Sequence, residues 1–136
     1  MVKINTLTAL LNVRDMRSSL AFYRDLLEFS VIADFEIDGH VAWARLRHDD
    51  VELMLNASPG VAQRPIRGAA SYDDVVLYFN VDDVDAVHRQ LSEAGAQPGP
   101  VATESYGMRE FTVRDPDGYE LGFGTSEEVS AIEESE

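Results

Sequence analysis

The sequence predicts an α+β fold: tandem βαβββ modules forming a curved eight-stranded sheet with a concave ligand cleft. Three observations carry this expectation. The chain echoes itself at an offset of 68 residues, where Asn12-Val13-x-Asp15 returns as Asn80-Val81-x-Asp83 and Asp49-x-x-Glu52-Leu53 as Asp117-x-x-Glu120-Leu121. Each half opens on an alternating strand that runs into an Asp and then an apolar stripe of helical period. Each half then continues through three more short segments of strand character divided by turn signals.

Taken in order, the first strand is expected over Thr6–Val13. Asp15 follows as a helix cap, because its carboxylate accepts free N–H groups of the first turn. Met16, Leu20, Tyr23 and Leu27 fall on one face of the helix that starts there. That helix ends at Glu28, where a Gly is the usual stop. A left-handed conformation at Glu28 would cost about 1 kcal/mol. Strands near Phe29–Ile37, His40–Arg47 and Val51–Asn56 complete the half, with turns at Asp38-Gly39 and Asp49-Asp50. The second half repeats the plan. A strand over Val75–Val81 leads to Asp83 as cap, and the stripe Val84, Val87, Leu91 and Ala94 ends at Gly95 as a left-handed stop. Strands near Gln97–Glu104, Met108–Arg114 and Tyr119–Gly124 follow. In the turn Asp115-Pro116-Asp117-Gly118, Pro fixes φ, Asp bonds its own backbone and Gly takes φ > 0.

Residues 57–74, with Pro59-Gly60, Pro65 and Gly68, read as a linker inside one domain of residues 1–125, made of modules 5–56 and 75–125. A half of about 60 residues has a marginal core. Residues 126–136 read as an acidic tail too polar to pack.

Composition narrows the function. The formal charge of −14 repels nucleic-acid phosphates and anionic lipid and would favour a cationic ligand, although solubility or salt tolerance is the simpler reason for it. No cysteine is present, which removes disulfides, thiolate metal sites and cysteine nucleophiles. The opening residues MVKINTLTALLNVRD lack the continuous apolar stretch of a secretory signal, and a cytoplasmic location is expected. Neither a phosphate-binding Gly loop nor a nucleophile elbow occurs. His40, His48 and His88 show no paired metal-ligand spacing.

Three segments resemble the glyoxalase / bleomycin-resistance / extradiol dioxygenase (vicinal oxygen chelate) superfamily: Val13-x-Asp15-x-x-x-Ser19-x-x-Phe22-Tyr23-x-x-x-Leu27, Val81-Asp82-Asp83-Val84-Asp85, and Tyr106-Gly107-Met108-Arg109-Glu110-Phe111-x-x-x-Asp115-Pro116-Asp117-Gly118. The resemblance covers about residues 5–125. It implies the fold and leaves the reaction open, since members run several chemistries on one scaffold. Metal-dependent members hold a divalent ion with four His, Gln or Glu side chains. The corresponding positions here are Thr8, Val76, Gly122 and either Glu52 or Met54. At most one carboxylate remains, too few donors for Zn, Fe or Mn, so no metal and no other cofactor is expected. What remains is similar to the non-metal bleomycin-resistance branch. That resemblance implies a homodimer sequestering a bulky cationic or aromatic ligand without turnover. The alternatives are a divalent-metal lyase, isomerase or dioxygenase with its ligands misaligned, and an accessory domain without pocket chemistry.

In phase with those positions, one face of the strands carries Thr8, Leu10 and Asn12; Glu52, Met54 and Asn56; Val76, Tyr78 and Asn80; and Glu120, Gly122 and Gly124. This set is polar for a sheet interior and suits a wet pocket. The complementary set of Ala9, Leu11, Val13, Val51, Leu53, Leu55, Tyr119, Leu121 and Phe123 is apolar and suits packing beneath helices. Candidate ligand contacts are therefore Thr8, Glu52, Met54, Val76 and Tyr78, with Trp43, Tyr106, Arg109 and Phe111 beside them. Trp43 and Phe111, related by the same offset of 68, serve either as stacking walls or as core aromatics. Arg109 either anchors a ligand oxygen or pairs with a surface carboxylate, Glu52 either binds a cation or is a half-solvated strand residue, and Tyr106 is a candidate lid.

Overall fold

The computed structural model describes residues 1–58 and 70–126, so linker residues 59–69 and tail residues 127–136 lie outside the described residues. The chain divides into two compact units, Met1–Ile66 and Arg67–Glu136.

In the first unit the order is β1 (Ala9–Val13), α1 (Met16–Leu20) continued by a π-helical segment (Ala21–Leu26), β2 (Ser30–Ile37), β3 (His40–His48) and β4 (Val51–Ala57). The strands form one sheet in the order β1-β4-β3-β2, with β1 parallel to β4 and the other pairs antiparallel. The second unit repeats this with β5 (Val76–Asn80), α2 (Val84–Glu93), β6 (Ala102–Thr103), β7 (Met108–Arg114) and β8 (Glu120–Ser126). Its sheet has the order β5-β8-β7-β6, again with one parallel pair, β5 with β8. The α+β class and the tandem βαβββ plan are thus both present.

The expected caps form. The Asp15 carboxylate accepts from the Arg17 amide at 3.0 Å and the Ser18 hydroxyl at 3.0 Å, and Asp83 accepts from the Ala86 amide at 3.1 Å. The first helix departs from the expected α-helix. After Leu20 its hydrogen bonds reach one residue further back, as in Leu27 N–H to the Phe22 carbonyl at 3.0 Å. The wider turn leaves adjacent residues on one side, so Phe22 is buried beside Tyr23, a position outside the expected stripe. Glu28 ends this segment at φ 66°, the left-handed conformation expected for it, and Gly95 ends α2 at φ 93°.

Two strands are shorter than expected. Pairing of β1 with β4 begins at Ala9 opposite Leu53, so Thr6 to Thr8 precede the ladder. β6 was expected over Gln97–Glu104 but pairs only at Ala102–Thr103, because Pro98 and Pro100 have no amide hydrogen to give a ladder. Gly99 keeps one link there, its N–H donating to the Thr112 carbonyl at 2.8 Å.

The apolar phase packs as expected. Leu11, Val13, Leu53 and Leu55 are buried in the first unit with Ala44, Leu46 and Tyr23, and Leu121 and Phe123 in the second with Val84, Leu91, Phe111 and Val113. Ala9 and Tyr119 are only half-buried, and Val51, at the start of β4, is 42% exposed. Among the described residues no helix is long and apolar enough to cross a membrane.

Candidate functional site

Residues paired across a ladder share a sheet face, so the registers decide which side chains meet. On the open face of the first sheet, Trp43 pairs with Asn56, Arg45 with Met54 and Arg47 with Glu52. Leu10 and Asn12 of β1 adjoin Met54 and Asn56 on that face, where the Asn56 amide donates to Asn12 Oδ1 at 3.1 Å. Glu52 is claimed by two guanidinium groups. Arg45 Nε donates to its Oε1 at 2.6 Å and Arg47 Nη2 to its Oε2 at 3.0 Å. These hydrogen bonds, Arg45 first, hold the Glu52 carboxyl below its ordinary value. Thr8, Trp43 and Met54 are half-buried on or beside this face.

The open face of the second sheet centres on a different group. Val76 pairs with Glu120, Tyr78 with Gly122 and Asn80 with Gly124, while β7 contributes Glu110 opposite Gly124, Thr112 opposite Gly122 and Arg114 opposite Glu120. Glu110 is only 4% exposed and receives three phenols. Tyr72 donates to its Oε1 at 3.0 Å, Tyr78 to its Oε2 at 2.5 Å, and Tyr106 also donates to Oε1. Burial alone would raise the Glu110 carboxyl, but the three donors together outweigh it and leave the group below its ordinary value. The phenols respond in the opposite sense. Burial and the Glu110 bond raise Tyr72 and Tyr78, and Tyr106 is pushed up to about 12, first by its bond to Glu110.

The backbone makes room for this cluster. Tyr78 lies across Gly122 and Gly124, and a Cβ at Gly124 would stand 2.7 Å from Tyr78 Cζ. The neighbouring Glu120, also buried, accepts from the Tyr72 amide at 2.8 Å and lies 3.8 Å from Arg114 Nη2. Asp115 closes the β7–β8 turn as its sequence predicts. Its Oδ1 accepts from the amides of Asp117 at 2.9 Å and Tyr119 at 2.8 Å, with Gly118 at φ 83°.

Of the candidate contacts, Tyr78 and Tyr106 therefore converge on one carboxylate with Val76 on the same face. Trp43, Glu52 and Met54 share the open face of the first unit, and Thr8 directly precedes β1. Arg109 and Phe111 lie on the opposite, helix-covered face. Phe111 is 2% exposed, stacks on Phe123 at 5.3 Å and meets the edge of His88 on α2 at 5.0 Å. Arg109 grips Asp85 of α2 through two bonds, Nη2 to Oδ1 at 2.8 Å and Nε to Oδ2 at 2.9 Å. The cause is turn length. Downstream of the β3–β4 and β7–β8 turns the offset of 68 holds, but the second turn is one residue longer, so upstream it drops by one. Trp43 then corresponds to Glu110, Arg45 to Thr112 and Arg47 to Arg114, not Trp43 to Phe111. Comparing the two turns residue by residue would have found Glu110. Arg45, Arg47 and Tyr72 were missed too, and nothing in the sequence pattern marked Tyr72.

The positions that hold a divalent ion in metal-dependent relatives do not fit one here. Only Glu52 among Thr8, Glu52, Met54, Val76 and Gly122 offers a charged donor, and both of its oxygens are engaged by arginines. Over Gly122 the Tyr78 ring stands where a longer side chain would have to pass, 3.0 Å from an added Cβ. Among the described residues no three His, Asp or Glu side chains gather as an ion site.

Tandem βαβββ units, each with an open polar sheet face and a helix on the other, define a superfamily scaffold of small-molecule enzymes and binders. The chain belongs to the Glyoxalase/Bleomycin resistance protein/Dioxygenase superfamily, whose family model matches residues 3–123. It is similar to the bleomycin-binding protein of Streptomyces verticillus, solved with copper(II)-bleomycin, at 26% identity and TM-score 0.65 over 93% of this chain and 100% of that one. It is also similar to the bleomycin resistance determinant encoded on transposon Tn5, at 26% identity and TM-score 0.69 over 91% and 99% of the two chains. TnmS3, an antibiotic binding protein from Streptomyces sp. CB03234, shares the fold at 24% identity and TM-score 0.67 over 92% and 99%. Among curated proteins none matches this chain.

Proposed function

We propose that the chain is a small-molecule-binding protein that sequesters a bulky cationic or aromatic ligand on the open faces of its sheets, without a metal and without turnover. The observation that carries this reading is the Glu110 carboxylate set among three phenols on a sheet face. Packing density alone would fill such a face with aliphatic side chains. A desolvated negative charge under aromatic rings instead suits a cation with an apolar body. The chain's net charge of −14 adds a long-range field of the same sign. Support also comes from the bleomycin-binding neighbour, which carries a ligand of this general kind. The proposal includes a homodimer, implied by the resemblance to the bleomycin-resistance branch, and a cytoplasmic location.

The test is a thermal-shift screen of cationic and aromatic compounds with and without chelator. Stabilisation that survives the chelator and weakens at high salt is the expected result. The single tryptophan, Trp43, gives a fluorescence readout for the first unit. Stoichiometric divalent metal in the purified protein, released only by strong chelation, would overturn the reading in favour of an enzyme of the same superfamily. Light scattering across a concentration series tests the dimer.

A further inference from the structure

We infer that Glu110 is the ligand's anchoring group for a cation that carries N–H donors, an amidinium, guanidinium or primary ammonium, and that Tyr106 is the placeholder such a cation displaces. This deepens the small-molecule reading above and rests on it. The three phenols that reach Glu110 are not mounted alike. Tyr78 projects from the ladder of β5 and lies across Gly122 and Gly124. The backbone of Tyr72 is tied by its amide to Glu120 at 2.8 Å. Tyr106 instead sits in the turn between β6 and β7, next to Gly107 at φ 89°, and is 57% exposed. Its ring can swing outward by rotation in that turn, and no strand need move.

The chemistry favours exchange. A carboxylate this deeply buried must keep its hydrogen bonds, so in the free protein a neutral O–H from Tyr106 fills one acceptor site on Oε1. A cationic N–H donor makes the same bond and adds attraction between full charges in surroundings that screen poorly. A quaternary ammonium has no hydrogen to give. It would leave Glu110 short of a bond if it took the place of Tyr106, and would have to sit outside the phenol instead. A neutral amide supplies the hydrogen without the charge. Donor and charge together therefore define the class.

The experiment follows the five tyrosine ring signals by NMR while wild type, Tyr106→Phe and Glu110→Gln are titrated with benzamidine, benzamide and benzyltrimethylammonium. Wild type is expected to prefer benzamidine by about tenfold, the effect of one hydrogen bond to a charged group. Tyr106→Phe, which removes the competing donor, should tighten benzamidine several-fold and keep the preference. Glu110→Gln should bring the three probes to within about twofold of one another. If Glu110→Gln does not fold, Tyr106→Phe alone decides. Equal binding of all three probes to wild type, or benzamidine binding that weakens in Tyr106→Phe, overturns the inference and leaves the small-molecule reading standing. If no probe moves any tyrosine signal in wild type or Tyr106→Phe, both fall.

Discussion

Gly124 and Tyr78 should behave as one unit in a double-mutant cycle, although they lie on different strands. A Cβ at Gly124 would stand 2.7 Å from Tyr78 Cζ and 3.0 Å from Met108 Cε, and closer still to the Tyr78 hydroxyl. Gly124 is not among the glycines with positive φ, so Gly124→Ala brings no backbone strain and acts through this collision. The ring is 42% exposed and can yield, but only by lifting its hydroxyl from Glu110, to which it donates at 2.5 Å. Loss of that bond, discounted for exposure, is worth about 1–2 kcal/mol. Tyr78→Phe loses the same bond and leaves the ring in place, so it should also cost about 1–2 kcal/mol. The double variant should then cost little more than either single change, a coupling of about 1–2 kcal/mol. Urea unfolding of the four proteins, with comparable slopes, measures it. Costs that add to within about 0.5 kcal/mol would show that Gly124 and the Tyr78–Glu110 bond are independent, and would refute the steric reasoning.

Further outcomes follow from other contacts. Because Glu110 is held below its ordinary value of 4.5, the unfolded chain binds the proton more readily. Its contribution to stability is therefore complete above pH 4.5 and lost as pH falls through the lower folded value. Glu110→Gln should flatten part of the acid limb of a stability–pH curve, with Glu52 and Asp85 leaving a remainder. The phenols give the opposite limb. Tyr106 is raised from 10.0 to about 12, so its share is complete below pH 10 and lost as pH rises through about 12, which Tyr106→Phe should remove. Glu28→Gly should stabilise by about 1 kcal/mol in urea unfolding, because Gly bears φ 66° without the Cβ clash. Phe111→Ala should cost about 3–5 kcal/mol as a core deletion, and Arg109→Ala under about 1 kcal/mol as an exposed ion pair, with ligand affinity unchanged in Arg109→Ala.

The ladders were legible because they depend on periodicity. Leu53 and Leu55 alternate with Glu52 and Met54, and a one-residue slip of β4 would turn the first pair out of the core. The caps at Asp15 and Asp83, and the left-handed Glu28 and Gly95, were legible because each answers a local backbone requirement. The π-helical widening was not, since Phe22 and Tyr23 fit an α-helix with either one inward and only packing brings in both. The central carboxylate escaped for another reason. A strand's face flips with every residue, so one extra residue in the Asp115–Tyr119 turn was enough to exchange Glu110 for Phe111 when the repeat was extended upstream without it.

The same repeated backbone holds two unlike sheet faces. With the register corrected, Arg47–Glu52 and Arg114–Glu120 occupy equivalent rungs and form the same kind of cross-strand ion pair, one at 3.0 Å and one at 3.8 Å. Such pairs stabilise a ladder whatever lies above it. Further along the same two strands the equivalence ends. The first unit has Trp43 and Arg45 where the second has Glu110 and Thr112, and Met54 and Asn56 where the second has Gly122 and Gly124. Large side chains and a guanidinium fill one face, while glycines on the other leave room for a tyrosine ring and the carboxylate it serves. Function in this chain is therefore expected to track the rungs where the halves differ. Exchanging Arg47 or Arg114 should move stability alone, and exchanging Glu110 should move binding as well.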